Sequence, residues 1–112
     1  MAAAHNLYVD QGADFSAEVG VYDDNNNSWD LTGYTGVAKI KKSYSSTTAT
    51  DFTVSIAATG TVTLKLSATT TASMSEGRYL YDVVISSPSA KKTRVIEGIV
   101  TVNPGVTIWM LM

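Results

Sequence analysis

The sequence predicts an all-β protein, an Ig-like β-sandwich of about seven antiparallel strands. Three observations carry this. Apolar residues recur at every second position in several segments, the period of a half-buried strand. Turn-forming residues separate those segments at intervals of roughly 8–12 residues. Charged residues make up only 16% of the chain, so many exposed positions must be filled by Ser and Thr, as on the outer faces of sheets.

Taken in order, Asn6 to Asp10 reads as a short first strand. In Ala13 to Tyr22, Phe15, Ala17, Val19 and Val21 fall on one face, with Asp14, Ser16, Glu18 and Gly20 on the other. An acidic, Asn-rich stretch follows. Then comes W-D-L, whose spacing turns Trp29 and Leu31 inward together, and T-G-Y-T-G makes a second turn into a strand at Val37 to Lys42. Asp51 to Ile56 points Phe52, Val54 and Ile56 inward, and Thr61 to Leu66 points Val62, Leu64 and Leu66 inward. The A-A-T-G turn between them, Ala57 to Gly60, makes the two a hairpin. Ala68 to Ser75 is too short and too rich in Thr for more than a 3₁₀ turn, one that drops Met74 into the core. Gly77 to Ser86 is the most apolar strand. Tyr79, Tyr81, Val83 and Ile85 form one face, and Leu80 and Val84 on the other predict a central strand covered on both sides. Ser87 to Lys92 is a turn by composition, and Thr93 to Val102 is the hairpin partner of the preceding strand. The division is an N-terminal arm and first strand (1–12), the sandwich (13–105) and an apolar C-terminal tail (106–112).

Composition excludes several functions. The 112 residues are one domain's worth, able to bury about two thirds of their unfolded surface without staples. With no cysteine, disulfides, thiolate zinc sites and cysteine nucleophiles are excluded. A net charge of −2 leaves no electrostatic footprint for nucleic acid. The basic runs Lys39–Lys42 and Lys91–Arg94 read either as a phosphate or anionic-surface patch or, more ordinarily, as solvated strand faces whose lysines discourage edge pairing. The start M-A-A-A-H-N lacks the basic and apolar regions of a signal peptide. No apolar run approaches the ~18 residues of a membrane span. A soluble protein with no membrane partner is expected.

Residues able to do chemistry are few. Asp23, Asn25 and Asn27 have the spacing that begins an EF-hand loop. However, Ser28 stands where its glycine should be and Tyr34 where its bidentate glutamate should be. A cation held by Asp23, Asp24 and Asp30 is the remaining metal reading, set against the ordinary use of Asp and Asn as turn formers. His5 is the single histidine and lies near the terminus, so neither a triad nor a histidine metal site can be built on it. Asp82 and Glu97 sit on adjacent strands and can meet across a sheet as an acid–base pair or, more ordinarily, as partners of Arg78 or Arg94. No catalytic site, metal or cofactor is expected.

Three further stretches carry a family resemblance. These are W-D-L-T-G-Y-T-G-V-A-K-I, then G-T-V-T-L-K-L-S-A-T-T-T-A-S-M-S-E-G-R-Y-L-Y-D-V-V-I, then T-R-V-I-E-G-I-V-T-V-N-P-G-V-T. Their motifs are D-L-T-G before a strand, G-x-V-x-x-x-L-S with a Thr-rich turn, G-x-Y-x-Y-D-V, and E-G-x-V-T-V-x-P-x-V-T. In this order, over about residues 13–107, the chain resembles the small Ig-like β-sandwich modules of tailed bacteriophages. It is similar to the N-terminal domain of baseplate upper proteins. The resemblance implies a non-enzymatic virion structural protein, located in the virion, attached to or displayed on the particle at tail, baseplate, neck or capsid. Baseplate upper proteins carry long C-terminal extensions; here only G-V-T-I-W-M-L-M follows Pro104.

That ending supplies the candidate partner-binding residues: Ile108, Trp109, Met110, Leu111 and Met112. Trp and Met are favoured at interfaces, the one for its area and the other for its adaptability. The run is expected to pack on a neighbouring subunit, of the same kind or another virion protein, giving a homo-oligomer or repeated copies. Folding back onto its own sandwich is the plainer alternative. Two other functions compete. A carbohydrate-binding sandwich for host-surface adhesion needs exposed aromatics, with Trp29, Tyr34 and Tyr44 as candidates. A calcium-stabilised adhesion module predicts a melting temperature that rises with calcium.

Overall fold

The computed structural model describes residues 3–22, 25 and 27–105. Two sheets face each other. The large one contains β1 (Ala3–Ala4), β2 (Leu7–Asp10), β4 (Thr35–Lys41), β5 (Thr50–Asp51), β8 (Gly77–Ser86) and β9 (Lys92–Asn103). The small one, in the order β3-β7-β6, contains β3 (Phe15–Gly20), β6 (Thr53–Ala57) and β7 (Thr61–Leu66). One helix, α1 (Ala68–Ser73), bridges them.

The alternation read from sequence is the alternation observed. Val19, Val62, Leu64 and Leu66 from the small sheet meet Ala38, Ile40, Tyr81, Val83, Ile85, Ile96, Val100 and Val102 from the large one in a continuous core. Cored β9-β8-β4 facing β3-β7-β6 is the G-F-C against B-E-D arrangement of an Ig-like sandwich. Tyr79 completes the likeness. Its hydroxyl donates to the carbonyl of Ser75 at 2.7 Å, the bond of a tyrosine corner at the entry to this strand. Two residues on, where antibody domains place a cysteine, stands Tyr81.

Four expectations are corrected. The strands are not all antiparallel: β1 and β2 run parallel to β9, in the register Ala3↔Ile96 and Leu7↔Val100. Among the described residues there are nine strands rather than about seven, because β1 and β5, of two residues each, are added. Asp51 to Ile56 is not one strand. It breaks at the buried Phe52, whose N–H donates to the Ala38 carbonyl at 3.0 Å while the chain passes from the large sheet (β5 on β4) to the small one (β6 on β7). Ala68 to Ser75 forms an α-helical turn, not a 3₁₀ one. Ser67 caps it by accepting from the Thr70 N–H at 3.2 Å. The fully buried hydroxyl of Thr71 donates to the Ala13 carbonyl at 2.8 Å and accepts from the Gly12 N–H at 3.1 Å. Met74 is buried, as expected.

The first strand is held by one unusual contact. Between β1 and β2 the ladder is interrupted at His5 and Asn6. Asn6 Oδ1 takes the N–H of Ile99 at 3.2 Å, and the carbonyl of His5 accepts from the Tyr81 hydroxyl at 2.7 Å. Tyr81 faces Gly98 across the sheet. A Cβ at Gly98 would run into the His5 carbonyl, so only glycine lets the N-terminal backbone come this close. The Tyr81 ring is fixed from the other side by Phe52, edge-on at 5.8 Å.

Two outcomes follow from this contact. Gly98→Ala is expected to cost about 2 kcal/mol or more by overpacking. It should also remove amide-exchange protection selectively from Leu7–Asp10; unchanged stability and protection would contradict the contact. Burial pushes the Tyr81 phenol up to about 12. The neutral phenol therefore stabilises the fold fully below pH ~10, and that contribution is lost as pH rises from there through ~12. Urea unfolding across this window should show the loss in the natural chain and a reduced one in Tyr81→Phe.

Candidate interaction surface

The strand faces that turn away from the core decide what the molecule offers to others. On the large sheet, β9 makes this face unusual. Its pairing with β8 shifts register between Val83 and Val84, so that Val83 faces Ile96 and Val84 faces Arg94, with Val95 bulged between. Residues three apart on a regular strand point to opposite faces. The bulge puts Arg94 and Glu97 on the same one, and both Val95 and Ile96 are buried. Arg94 then lies between two carboxylates, 3.4 Å from Glu97 and 3.9 Å from Asp82, which is directly opposite Glu97 in the ladder. On the neighbouring strand Lys39 meets Asp51 of β5 at 2.8 Å. These pairs are exposed and contribute little to stability. They do set a band of alternating charge across the sheet.

Beside that band runs an apolar row. Leu80 on β8 faces Ile99 on β9 and Lys41 on β4, with Asn6 beyond. The band and the row line a groove of about 510 Å³, walled by Tyr44 from the loop after β4. Tyr44 is 82% exposed. Tyr8, on the strand face opposite the buried Leu7 and Val9, is 67% exposed on the same sheet. The outer face of the small sheet is different: Ser16, Thr53, Ser55, Thr61 and Thr63 dominate it, with Glu18 and Lys65 as its charges.

The candidates read from sequence fall as follows. Asp82 and Glu97 do meet, with Arg94 as their shared partner. The basic runs do not form one patch: Lys39 and Lys41 face the groove, Ile40 enters the core, and Lys42 lies 4.5 Å over the Tyr79 ring. The two-sided covering expected of β8 is corrected. Leu80 and Val84 are only half-buried because, among the described residues, no second layer packs on them, and Leu80 floors the groove instead. Leu31 is buried as expected; of the aromatics, Trp29 is half-buried with its edge against Tyr34 at 6.1 Å, which takes both rings out of any exposed row. Sequence reasoning missed Tyr8 and Ile99; the period of two flanking each was the available signal.

The acidic, Asn-rich loop after Tyr22 is a turn where it is described. Tyr22 bridges to Ser28, and the Trp29 and Leu31 N–H groups donate to Val21 and Ala58. Asp30 accepts from the Thr32 hydroxyl at 2.7 Å and from its N–H at 3.1 Å. These bonds, the hydroxyl first, hold its carboxyl below the usual value. Asp23 and Asp24 lie outside the described residues, as do Ile108, Trp109, Met110, Leu111 and Met112. Among the described residues no three His, Cys, Asp or Glu side chains group as metal ligands.

With this geometry in hand, comparisons place the chain. A family model, the LtfC-like β-sandwich domain, matches residues 2–103. Among solved structures, an internalin-like protein of Listeria monocytogenes is similar at 18% identity and a TM-score of 0.50, over 91% of this chain and 28% of that one. A chain from the complex of ICOS with ICOS-L and an anti-ICOS-L VNAR domain is similar at 16% identity and a TM-score of 0.46, over 93% of this chain and 56% of that one. This chain thus spans well under two thirds of either, and the first likeness is one of fold. No curated protein matches. LtfC is a phage tail fibre-associated protein. The chain belongs to the LtfC-like β-sandwich family.

Proposed function

We propose that this member of the LtfC-like family is a non-enzymatic structural protein of a bacteriophage virion, a small module that docks onto the particle through subunit contacts. The observation that carries the reading is the family match over residues 2–103. The kinship with baseplate upper proteins, the position in the virion and the presence of repeated copies are part of this proposal. The groove side of the large sheet is the docking face. It combines an apolar floor (Leu80, Ile99), an exposed tyrosine (Tyr44) and charges of both signs, the mixture found at protein interfaces. The run Ile108–Met112 is a second contact in the same assembly.

The non-enzymatic reading is supported by how the reactive groups are used. The two carboxylates that meet, Asp82 and Glu97, share Arg94, and His5 enters the fold through its backbone carbonyl. A second reading, a glycan-binding module, is favoured by one observation: Tyr44 stands 82% exposed beside the groove.

The test is incorporation of tagged chains into purified particles. The natural chain is expected in particles. Leu80→Asp, on a half-buried outward position, should be at least tenfold depleted while keeping its fold by circular dichroism. A chain ending at Thr107 should be depleted as well. Absence of the natural chain from particles, with glycan binding that Tyr44→Ala abolishes, would overturn the structural reading in favour of the second.

A further inference from the structure

A sandwich built from two open sheets has edge strands whose backbone groups invite another strand, and proteins blunt such edges with charge, proline, bulges or brevity. Three edges here are blunted. The β1–β2 edge is interrupted at His5 and Asn6 and ends in Asp10. The β5 edge is two residues long and carries Asp51. The β3 edge carries Glu18 at mid-strand. The fourth, β6, reads Thr53-Val54-Ser55-Ile56-Ala57, with no charge, no proline and no bulge in its regular pairing with β7. Among the described residues its backbone bonds only to β7 and, through Ala57, to the turn at Gly60.

We propose that β6 is a self-association edge, which pairs antiparallel with β6 of a second copy about a twofold axis through Ser55. The sequence is complementary to itself in that register. Ser55 faces Ser55, Val54 faces Ile56 of the other copy, and Thr53 faces Ala57. Inward residues therefore meet inward residues and no like charges oppose. The result is a two-fold, closed contact that joins two three-stranded sheets into one six-stranded sheet. Val54 and Ile56 are half-buried in the single chain, so each gains cover from its counterpart. The edge is also already set for pairing. Val54 and Ile56 lie so close over Gly36 of β4 that a Cβ there would meet them at 3.0 and 2.9 Å, which seats β6 against the large sheet. A pre-ordered strand loses less entropy on pairing. The contact uses the sheet opposite the docking groove and goes beyond the docking reading.

Light scattering on the purified full chain tests it without any particle. The mass should rise with concentration from the 11.9 kDa of one chain towards twice that value. Ser55 is exposed, so Ser55→Lys and Ser55→Glu should each keep the fold by circular dichroism yet associate at least tenfold more weakly. Mixing the two should restore the dimer. If Ser55→Lys does not fold, Thr53→Lys, also at an exposed position, is expected to give the same monomer. A natural chain that stays monomeric at every concentration would overturn the proposal. So would a dimer indifferent to these substitutions.

Discussion

A missing Cβ organises much of this molecule. Because Gly98 offers no side chain, the carbonyl of His5 can approach β9 and take the hydroxyl of Tyr81, and the first strand is drawn to the large sheet. In the sandwich of antibody domains the first strand lies with B, E and D. Its transfer here leaves the small sheet with three strands and two open edges, and leaves Phe15 and Ala17 only half-buried along the β3 side. Tyr81 sits at the centre of the arrangement. It holds the N-terminal strand with its polar tip and Phe52 with its ring, and Phe52 is where the chain crosses from one sheet to the other.

The two faces then acquire different characters for local reasons. On the large sheet the bulge at Val95 turns Arg94 to the side of Glu97 and Asp82, and the phase of β8 brings Leu80 out beside them. The consequence is a groove with an apolar floor and a charged margin. On the small sheet hydroxyl-bearing residues alternate with the core residues of β6 and β7, and the outer surface is mostly uncharged. The large sheet thus carries mixed chemistry on its outer face, and the small sheet carries mainly hydroxyls on its own and an uncharged strand, β6, at one edge.

Much of the fold was legible because a period of two is hard to mistake. Thr61–Leu66 and Gly77–Ser86 were delimited from alternation alone, and the inward residues of β3 and β6 were assigned correctly. What was not legible depended on long-range contacts. Nothing local in Asn6–Asp10 says that it pairs parallel with a segment some ninety positions away. The break at Phe52 keeps the alternation intact while changing sheets, so the pattern reads as one strand. The short helix looked too rich in Thr to form, but Thr71 is stabilised by Gly12 and Ala13, which lie far from it in sequence. The site was less legible than the fold. Asp82, Glu97 and Arg94 could be placed on adjacent strands, but their meeting on one face requires the bulge. Leu80, apolar on the second face, predicts a covering layer by its pattern, whereas it floors a groove.

The proposed function makes the chain a particle-bound module that docks through its large-sheet face. Lysines lie conveniently on both sides: Lys39 and Lys41 line the groove, and Lys65 lies on the outer face of the small sheet. Amine-directed cross-linking of intact phage particles, read by mass spectrometry, tests the claim most directly. Cross-links from Lys39 or Lys41 to a different virion protein are the predicted result. Cross-links to other virion proteins from Lys65 alone, or none at all, would contradict it.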